Sequence, residues 1–492
     1  MSEAASQADI AALAKGGRTN FFGFLLRLAA RVPFLFIAGR LYGADALGRF
    51  ASALVVIELC GLIATLGLKR GLAKSLSDDE RSAASIVADA MLASLAAAVL
   101  LAGLLFVFPA PMFPSGIRYD LDLLLPISIL PLAATDVALA ALAYRYNVKA
   151  TVQARAVVEP WTLSIAAAAL WFVVPHGGLS LAYILSNFTA AAAALVPLAR
   201  CYGRPHDWRP NPRRMLKVIQ TYYPLAVADL VEWGSRRLDL FILGFFASPA
   251  AVGIYWAAQQ VASLPQKLKT SFEPILGPVI TRNLKERNYG AIAAQVSQVG
   301  FWIVAAQAGI ALALGIPGEG VMGLVGPAFV GGTGALAFLL AAEVVAASAV
   351  VSEAALVYVA RMRNLAISLA TIALQAGLTV GGILLVSELG YDQLYRAAAA
   401  AAALMVALGL ASLAKSQLLA HLLGRRLHTW RWPLLWAAAP AVTIGWLATR
   451  FLPEWAELAF GVPAVLLSYG WMIWRYGFGP DDRVLFRKNV GA

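Results

Sequence analysis

Six basic residues stand inside apolar stretches of the chain: Arg27, Arg31, Arg236, Arg237, Lys267 and Lys269. A charge at the middle of a membrane helix costs roughly 2.5–3.5 kcal/mol, so such residues face protein, water or a ligand and not lipid. Arg27 and Arg31 are four apart and share one helical face. Clustered guanidinium groups in a water-poor setting suit a polyanion such as pyrophosphate, which they bind through paired hydrogen bonds. The alternative is that each Arg pairs with a buried acid and locks two helices together. Lys267 and Lys269 lie two apart on different faces, so one of them can reach a cavity that the other does not.

Acids fall in the same stretches and outnumber the bases: Glu58, Asp89, Asp136, Asp229, Glu232, Asp239, Glu273, Glu343 and Glu353. Asp229, Glu232, Arg236 and Asp239 follow spacings of 3, 4 and 3, which puts them in one charged stripe. Glu232 and Arg236 have the spacing of a simple ion pair. Glu58, Asp136 and a member of that stripe are also the candidates for a carboxylate that takes up a coupling proton or cation. Among the prolines inside apolar runs, Pro33 and Pro224 are candidate bends at which a bundle could rock, because proline removes a helical hydrogen bond.

Other chemistries lack their residues. Cys60 lies within an apolar run and Cys201 within a basic one, which argues against a disulfide. The four histidines, His176, His206, His421 and His428, have no Cys or carboxylate at ligand spacing, so no metal is expected. There is no G-x-x-x-x-G-K-[ST] loop, so ATP is not expected to be the direct energy source, and no cofactor is expected beyond a coupling proton or sodium ion.

The elements that must carry these residues are membrane helices. Of the 492 residues 60% are hydrophobic and only 13% charged, and the mean hydropathy is +0.73. Soluble domains carry about a quarter charged residues. Runs long enough for a crossing cover 20–41, 46–68, 86–108, 122–144, 157–175, 179–199, 218–246, 253–280, 292–316, 335–360, 364–386, 395–414, 433–450 and 457–474. Stretches such as Leu92 to Phe108 are apolar throughout, unlike the alternating strands of a β-barrel. The expected fold is an all-α integral membrane protein of about fourteen helices.

With a cytoplasmic N-terminus, 28 of the 39 Lys and Arg fall on the inner side, 5 (Arg40, Arg49, Arg118, Arg396 and Arg450) on the outer side and 6 within helices. That bias places both termini in the cytoplasm. The net charge of +12 is then a topology signal and an attraction to membrane lipid; no nucleic-acid partner is expected. Residues 1–19 read as a cytoplasmic segment without the features of a removable signal peptide. No outer connection is long enough for a catalytic domain, so covalent chemistry is not expected.

Sliding the chain on itself by 205 residues superposes Arg31, Ile37, Gly39 and Gly48 on Arg236, Ile242, Gly244 and Gly253. The segments "AGRLYGADALGRFASALVVIELCGLIATLGLKRGLAK" and "SRRLDLFILGFFASPAAVGIYWAAQQVASLP" resemble the first and seventh helices, with their following turns, of bacterial polysaccharide flippases. These belong to the multidrug/oligosaccharidyl-lipid/polysaccharide exporter superfamily. The resemblance implies two six-helix lobes, 20–200 and 218–420, around a central cavity, joined by a basic cytoplasmic linker, 201–217. Helices 13 and 14, over 433–474, would follow, with a cytoplasmic tail, 475–492. It also implies translocation of an undecaprenyl-pyrophosphate-linked oligosaccharide across a bacterial inner membrane by alternating access, alongside polysaccharide polymerase and glycosyltransferase neighbours. The six bases are then headgroup candidates. A cation-coupled drug or small-molecule antiporter of the same superfamily is the alternative, followed by a membrane enzyme acting on prenyl-linked sugars.

Overall fold

The computed structural model describes residues 32–78, 81–203, 205, 208–270, 273–479 and 482–483. Among these there is helix and no strand, as apolar runs in lipid require, because only a helix satisfies every backbone group within its own segment. Among the described residues, ten helical stretches are long and apolar enough to cross a membrane. Not all of the fourteen runs expected from the sequence appear among these ten as separate stretches. The described part of run 20–41, from Val32, and run 46–68 fall in one stretch, Val32–Asp78, whose chain bends at Gly43 with a φ of 80° that favours glycine. The helix within run 157–175 has only 13 residues after a π-helical segment, Val152–Val158. Runs 218–246 and 253–280 are not among the ten.

The chain forms two compact units, the first ending at Gly253 and the second starting at Ile254. In the first, α1 (Gly43–Ala64) leads through a turn into α2 (Leu68–Asp78), followed by α3 (Ala83–Val107), α4 (Ile129–Tyr144), α5 (Glu159–Trp171), α6 (Gly178–Tyr202) and α7 (Pro212–Phe246). Leu68, Leu72 and Leu76 lie four apart on one face of α2 and pack into a core with Ile86 and Ala90 of α3 and Val137, Ala141 and Leu142 of α4. Helix α7 starts where the sequence dictates: Asn211 accepts from Arg213 N at 3.0 Å, and Pro212 follows at the first helical position.

The next helix, α8 (Pro249–Thr270), makes a close approach to α1. A Cβ on Gly48 would overlap the carbonyl of Pro249, and one on Gly253 would overlap the carbonyl of Ala44. These four residues are related in pairs by the shift of 205 seen in the sequence, Ala44 to Pro249 and Gly48 to Gly253. The contact is therefore reciprocal, as a local twofold relation requires. Only glycine lets the two backbones come this near.

The second unit continues with α9 (Glu273–Lys285), α10 (Tyr289–Gly315), α11 (Gly318–Val325), α12 (Thr333–Val359), α13 (Arg361–Glu388), α14 (Gln393–Leu423), α15 (Pro433–Phe451) and α16 (Val462–Met472). Its core joins Phe301, Trp302 and Ile303 of α10 to Ala347 and Val351 of α12, Ala437 and Ala441 of α15, and Val465 and Tyr469 of α16. Many Trp, Leu and Phe side chains of α15 and α16 point outward, including Trp436, Trp446 and Leu467. Such a surface is expected where lipid is the solvent.

Candidate functional site

The charged residues of the first unit assemble into a network on helices that are otherwise apolar. On α2, Arg70 holds two acids of α7 at once: Nε lies 2.6 Å from Asp229 Oδ1 and Nη2 2.6 Å from Glu232 Oε2. Glu232 also takes Arg236 Nη2 at 3.0 Å on the next turn of α7. Arg237, one residue on, reaches across to Glu58 of α1 at 3.3 Å. Beside Arg70, Lys69 Nζ lies 3.8 Å from Asp136 Oδ2 of α4. Asp136 is bonded to Arg155 as well, and Arg155 also holds Glu159 of α5 at 2.8 Å.

Among the described residues, five bases thus meet five acids, Lys69, Arg70, Arg155, Arg236 and Arg237 against Glu58, Asp136, Glu159, Asp229 and Glu232. Together these ten residues carry no formal net charge. Its burial is uneven. Asp229 is only 4% exposed, whereas Arg70, Glu232 and Arg236 are 46, 47 and 41% exposed. One end of the network is therefore locked into the protein, and the other presents carboxylate and guanidinium groups where a ligand can exchange for a partner.

The candidates named from the sequence are distributed as follows. Arg236, Arg237, Glu58, Asp136, Asp229 and Glu232 lie in this network. Asp239 is fully buried on α7. Arg27 and Arg31 lie outside the described residues. Lys267 and Lys269 are on α8, but their side chains are also outside them. Pro33 sits in the helical run before α1, and Pro224 sits inside α7 on an exposed position.

Residues that reasoning from the sequence assigned only to loops prove to be partners. Lys69, Arg70 and Arg155 count there as cytoplasmic bases, yet they neutralise Asp136, Asp229, Glu159 and Glu232. Arg49, counted as an outer-loop base, is 5% exposed on α1. It is paired with Asp45 and lies 3.6 Å from Asp122, with its guanidinium 4.5 Å from the centre of the Tyr119 ring. Asp122 is held in turn by Ser180 Oγ at 2.6 Å and the Tyr119 backbone N–H at 3.1 Å. Asp89 of α3 accepts from Arg81 at 2.6 Å and from Trp208 Nε1 at 2.7 Å. The signal that could have found them is the surplus of intramembrane acids, since each buried acid needs a base from somewhere.

The fold and these charges carried on long apolar helices define an all-helical, multi-pass membrane protein. A structure titled lipid II flippase MurJ, inward closed conformation, superposes with a TM-score of 0.67 over 92% of this chain and 99% of that one, at 12% identity. An inward-facing multidrug resistance MATE family transporter of the MOP superfamily gives 0.62 over 81% and 94%, at 14% identity. A MOP superfamily transporter from Pyrococcus furiosus gives 0.54 over 85% and 96%, at 16% identity. At such identities the likeness is one of fold. No curated protein matches the sequence. The family model described as polysaccharide biosynthesis protein matches residues 37–299, and the chain belongs to that family.

Proposed function

We propose that this protein is a flippase that moves an oligosaccharide linked to undecaprenyl pyrophosphate from the cytoplasmic to the periplasmic leaflet of a bacterial inner membrane, by alternating access and without covalent chemistry. The observation that carries this reading is a polysaccharide-family chain with an exposed Arg236–Glu232–Arg70 cluster among apolar helices. A diphosphate offers oxygens that can replace Glu232 as partner of Arg236 and Arg70, with bidentate geometry. Since the described network is neutral, the headgroup binds by exchange with a carboxylate or with the help of the headgroup candidates Arg27, Arg31, Lys267 and Lys269. The relative titled lipid II flippase supports a lipid-linked cargo. Polysaccharide polymerase and glycosyltransferase neighbours fit the same role.

The test is transport itself. Purified protein in liposomes should bring a fluorescent lipid-linked oligosaccharide to the opposite leaflet, where a membrane-impermeant quencher reads it, and the mass of the substrate should be unchanged. Movement equal to that in protein-free liposomes would overturn the reading, and a mass change dependent on the protein would turn it into an enzyme. A second reading, a cation-coupled antiporter, is favoured by the balance of five acids against five bases, since Glu58, Asp136 and the acids of α7 can take a coupling proton or sodium ion. An imposed ion gradient that drives drug export, but no movement of lipid-linked sugar, would select it.

A further inference from the structure

In the second unit, α13 is amphipathic in the sense opposite to a soluble helix. Its buried positions are Asn364, Thr371, Gln375, Thr379 and Ile383, four of the five polar, while Leu369, Leu374, Leu384 and Leu385 are exposed. With Ser368 the polar positions follow spacings of 4, 3, 4 and 4, so they form one stripe along the helix. The stripe faces α14 and α12, which pack against α13. At one end, Lys415 of α14 is buried and bridges Glu353 Oε2 of α12 at 2.9 Å and Ser368 Oγ at 3.0 Å.

Beyond Thr371, whose hydroxyl donates to the Ile367 carbonyl at 2.7 Å, Gln375 and Thr379 have no hydrogen-bonding partner in the protein. Gln375 and Thr379 are fully buried, and neither the amide oxygen and nitrogen of Gln375 nor the hydroxyl of Thr379 makes a hydrogen bond within the protein. Polar residues that join membrane helices do so by bonding across them, and these do not. An unpaired buried amide is costly, and the usual remedy is water, which needs polar groups and room. The side chains that α14 sets against the stripe are small. Gly382 packs on Ala399, its Cβ position 3.7 Å from that of Ala399, and Ser368 meets Lys415. This antiparallel register sets Gln375 opposite Ala407 and Thr379 opposite Ala403, both buried alanines.

We infer that the seam of α13 against α12 and α14 is a water-filled half-channel, entered at the Lys415–Glu353 pair and closed beyond Thr379 by Ile383. Glu353, with 43% of its side chain exposed, marks the open end, and Ile383, 1% exposed and apolar, marks the closed one. Water in contact with this ionisable pair gives a coupling proton its route into the second unit. That consequence rests on the transport reading above; the hydration of the seam does not.

The experiment is cysteine accessibility in nanodiscs, in a background with Cys60→Ser and Cys201→Ser. A charged methanethiosulfonate reagent reacts with the thiolate, which forms only where there is water. Gln375→Cys and Thr379→Cys should react at least tenfold faster than Leu374→Cys, which lies at the same depth on the lipid face. Adding Gln375→Leu to Thr379→Cys should slow labelling at least fivefold, because leucine plugs the path. Each variant is first checked for a monodisperse elution profile, and Thr379→Cys alone suffices if Gln375→Cys does not fold. Labelling no faster than at Leu374→Cys, with Gln375→Leu raising the thermal midpoint as expected in a dry seam, would overturn the inference. Failure of leaflet-to-leaflet transport with labelling intact would strike the flippase reading alone.

Discussion

Arg70 and Arg236 both hold Glu232, yet their loss should be felt differently. Arg70→Ala leaves Asp229, 4% exposed, without its partner. An orphaned buried charge costs about 3 kcal/mol or more, so folded protein recovered from membranes should fall, and adding Asp229→Asn should restore much of it. Arg236 is 41% exposed and its partner Glu232 keeps Arg70, so Arg236→Ala should cost no more than about 1 kcal/mol. If Arg236 binds the headgroup, that variant should instead lose transport at normal abundance. Arg236→Lys, which keeps the charge but not the bidentate geometry, should retain part of it. Full transport by Arg236→Ala would remove Arg236 from the site. Glu232 and Arg236 are readable as neighbours from their spacing of four. Arg70 is not, because its partners lie on a helix 162 residues away in the case of Glu232.

At the scale of the element, two contacts decide how helices meet. The reciprocal approach of α1 and α8 leaves no space for a side chain at Gly48 or Gly253. Gly48→Leu should lower the thermal midpoint sharply, by an amount on the order of the 1–3 kcal/mol of an overpacked core or beyond it, because the obstacle is backbone. Gly377→Ala, where a Cβ meets open space, is the control and should be neutral or slightly stabilising. The second contact is made by Asp482, which accepts from Trp302 Nε1 at 3.0 Å, Gln298 Nε2 at 3.2 Å, Arg431 Nη1 at 2.6 Å and the Gly479 N–H at 2.9 Å. It ties the segment after α16 to α10 and to the approach to α15. Asp482→Ala removes the shared acceptor of four donors, of which Arg431 Nη1 keeps the Gly477 carbonyl at 3.0 Å, and a loss of about 3 kcal/mol should appear as a lower unfolding temperature, with trypsin cutting first near residues 424–432. An unchanged temperature would mean that water replaces the carboxylate at no cost.

For the whole molecule, the expected orientation can be read by labelling intact cells. Cysteines placed at Ser115 and Gly331 should react with an impermeant maleimide, and the native, exposed Cys201 should not; labelling at Cys201 would invert the topology. What the sequence by itself determined is whatever depends on neighbours along the chain. Hydropathy and helical hydrogen bonding are local, so the apolar runs and the all-helical class were legible, whereas the first turn of α7 from Pro212 fell in the stretch 201–217 that reads as a linker. A repeat is a property of the sequence too, and the shift of 205 already paired Gly48 with Gly253. What only the tertiary structure decided is which charges meet. The polar stripe of α13 was present in the sequence at spacings of 4, 3, 4 and 4, but an apolar run that crosses a membrane hides which of its faces is inward until α12 and α14 pack against it. In the same way Arg49, Lys69, Arg70 and Lys415 looked like loop charges that orient helices. A salt bridge forms wherever folding brings a base within reach of an acid, and that distance is set by packing between helices far apart in sequence.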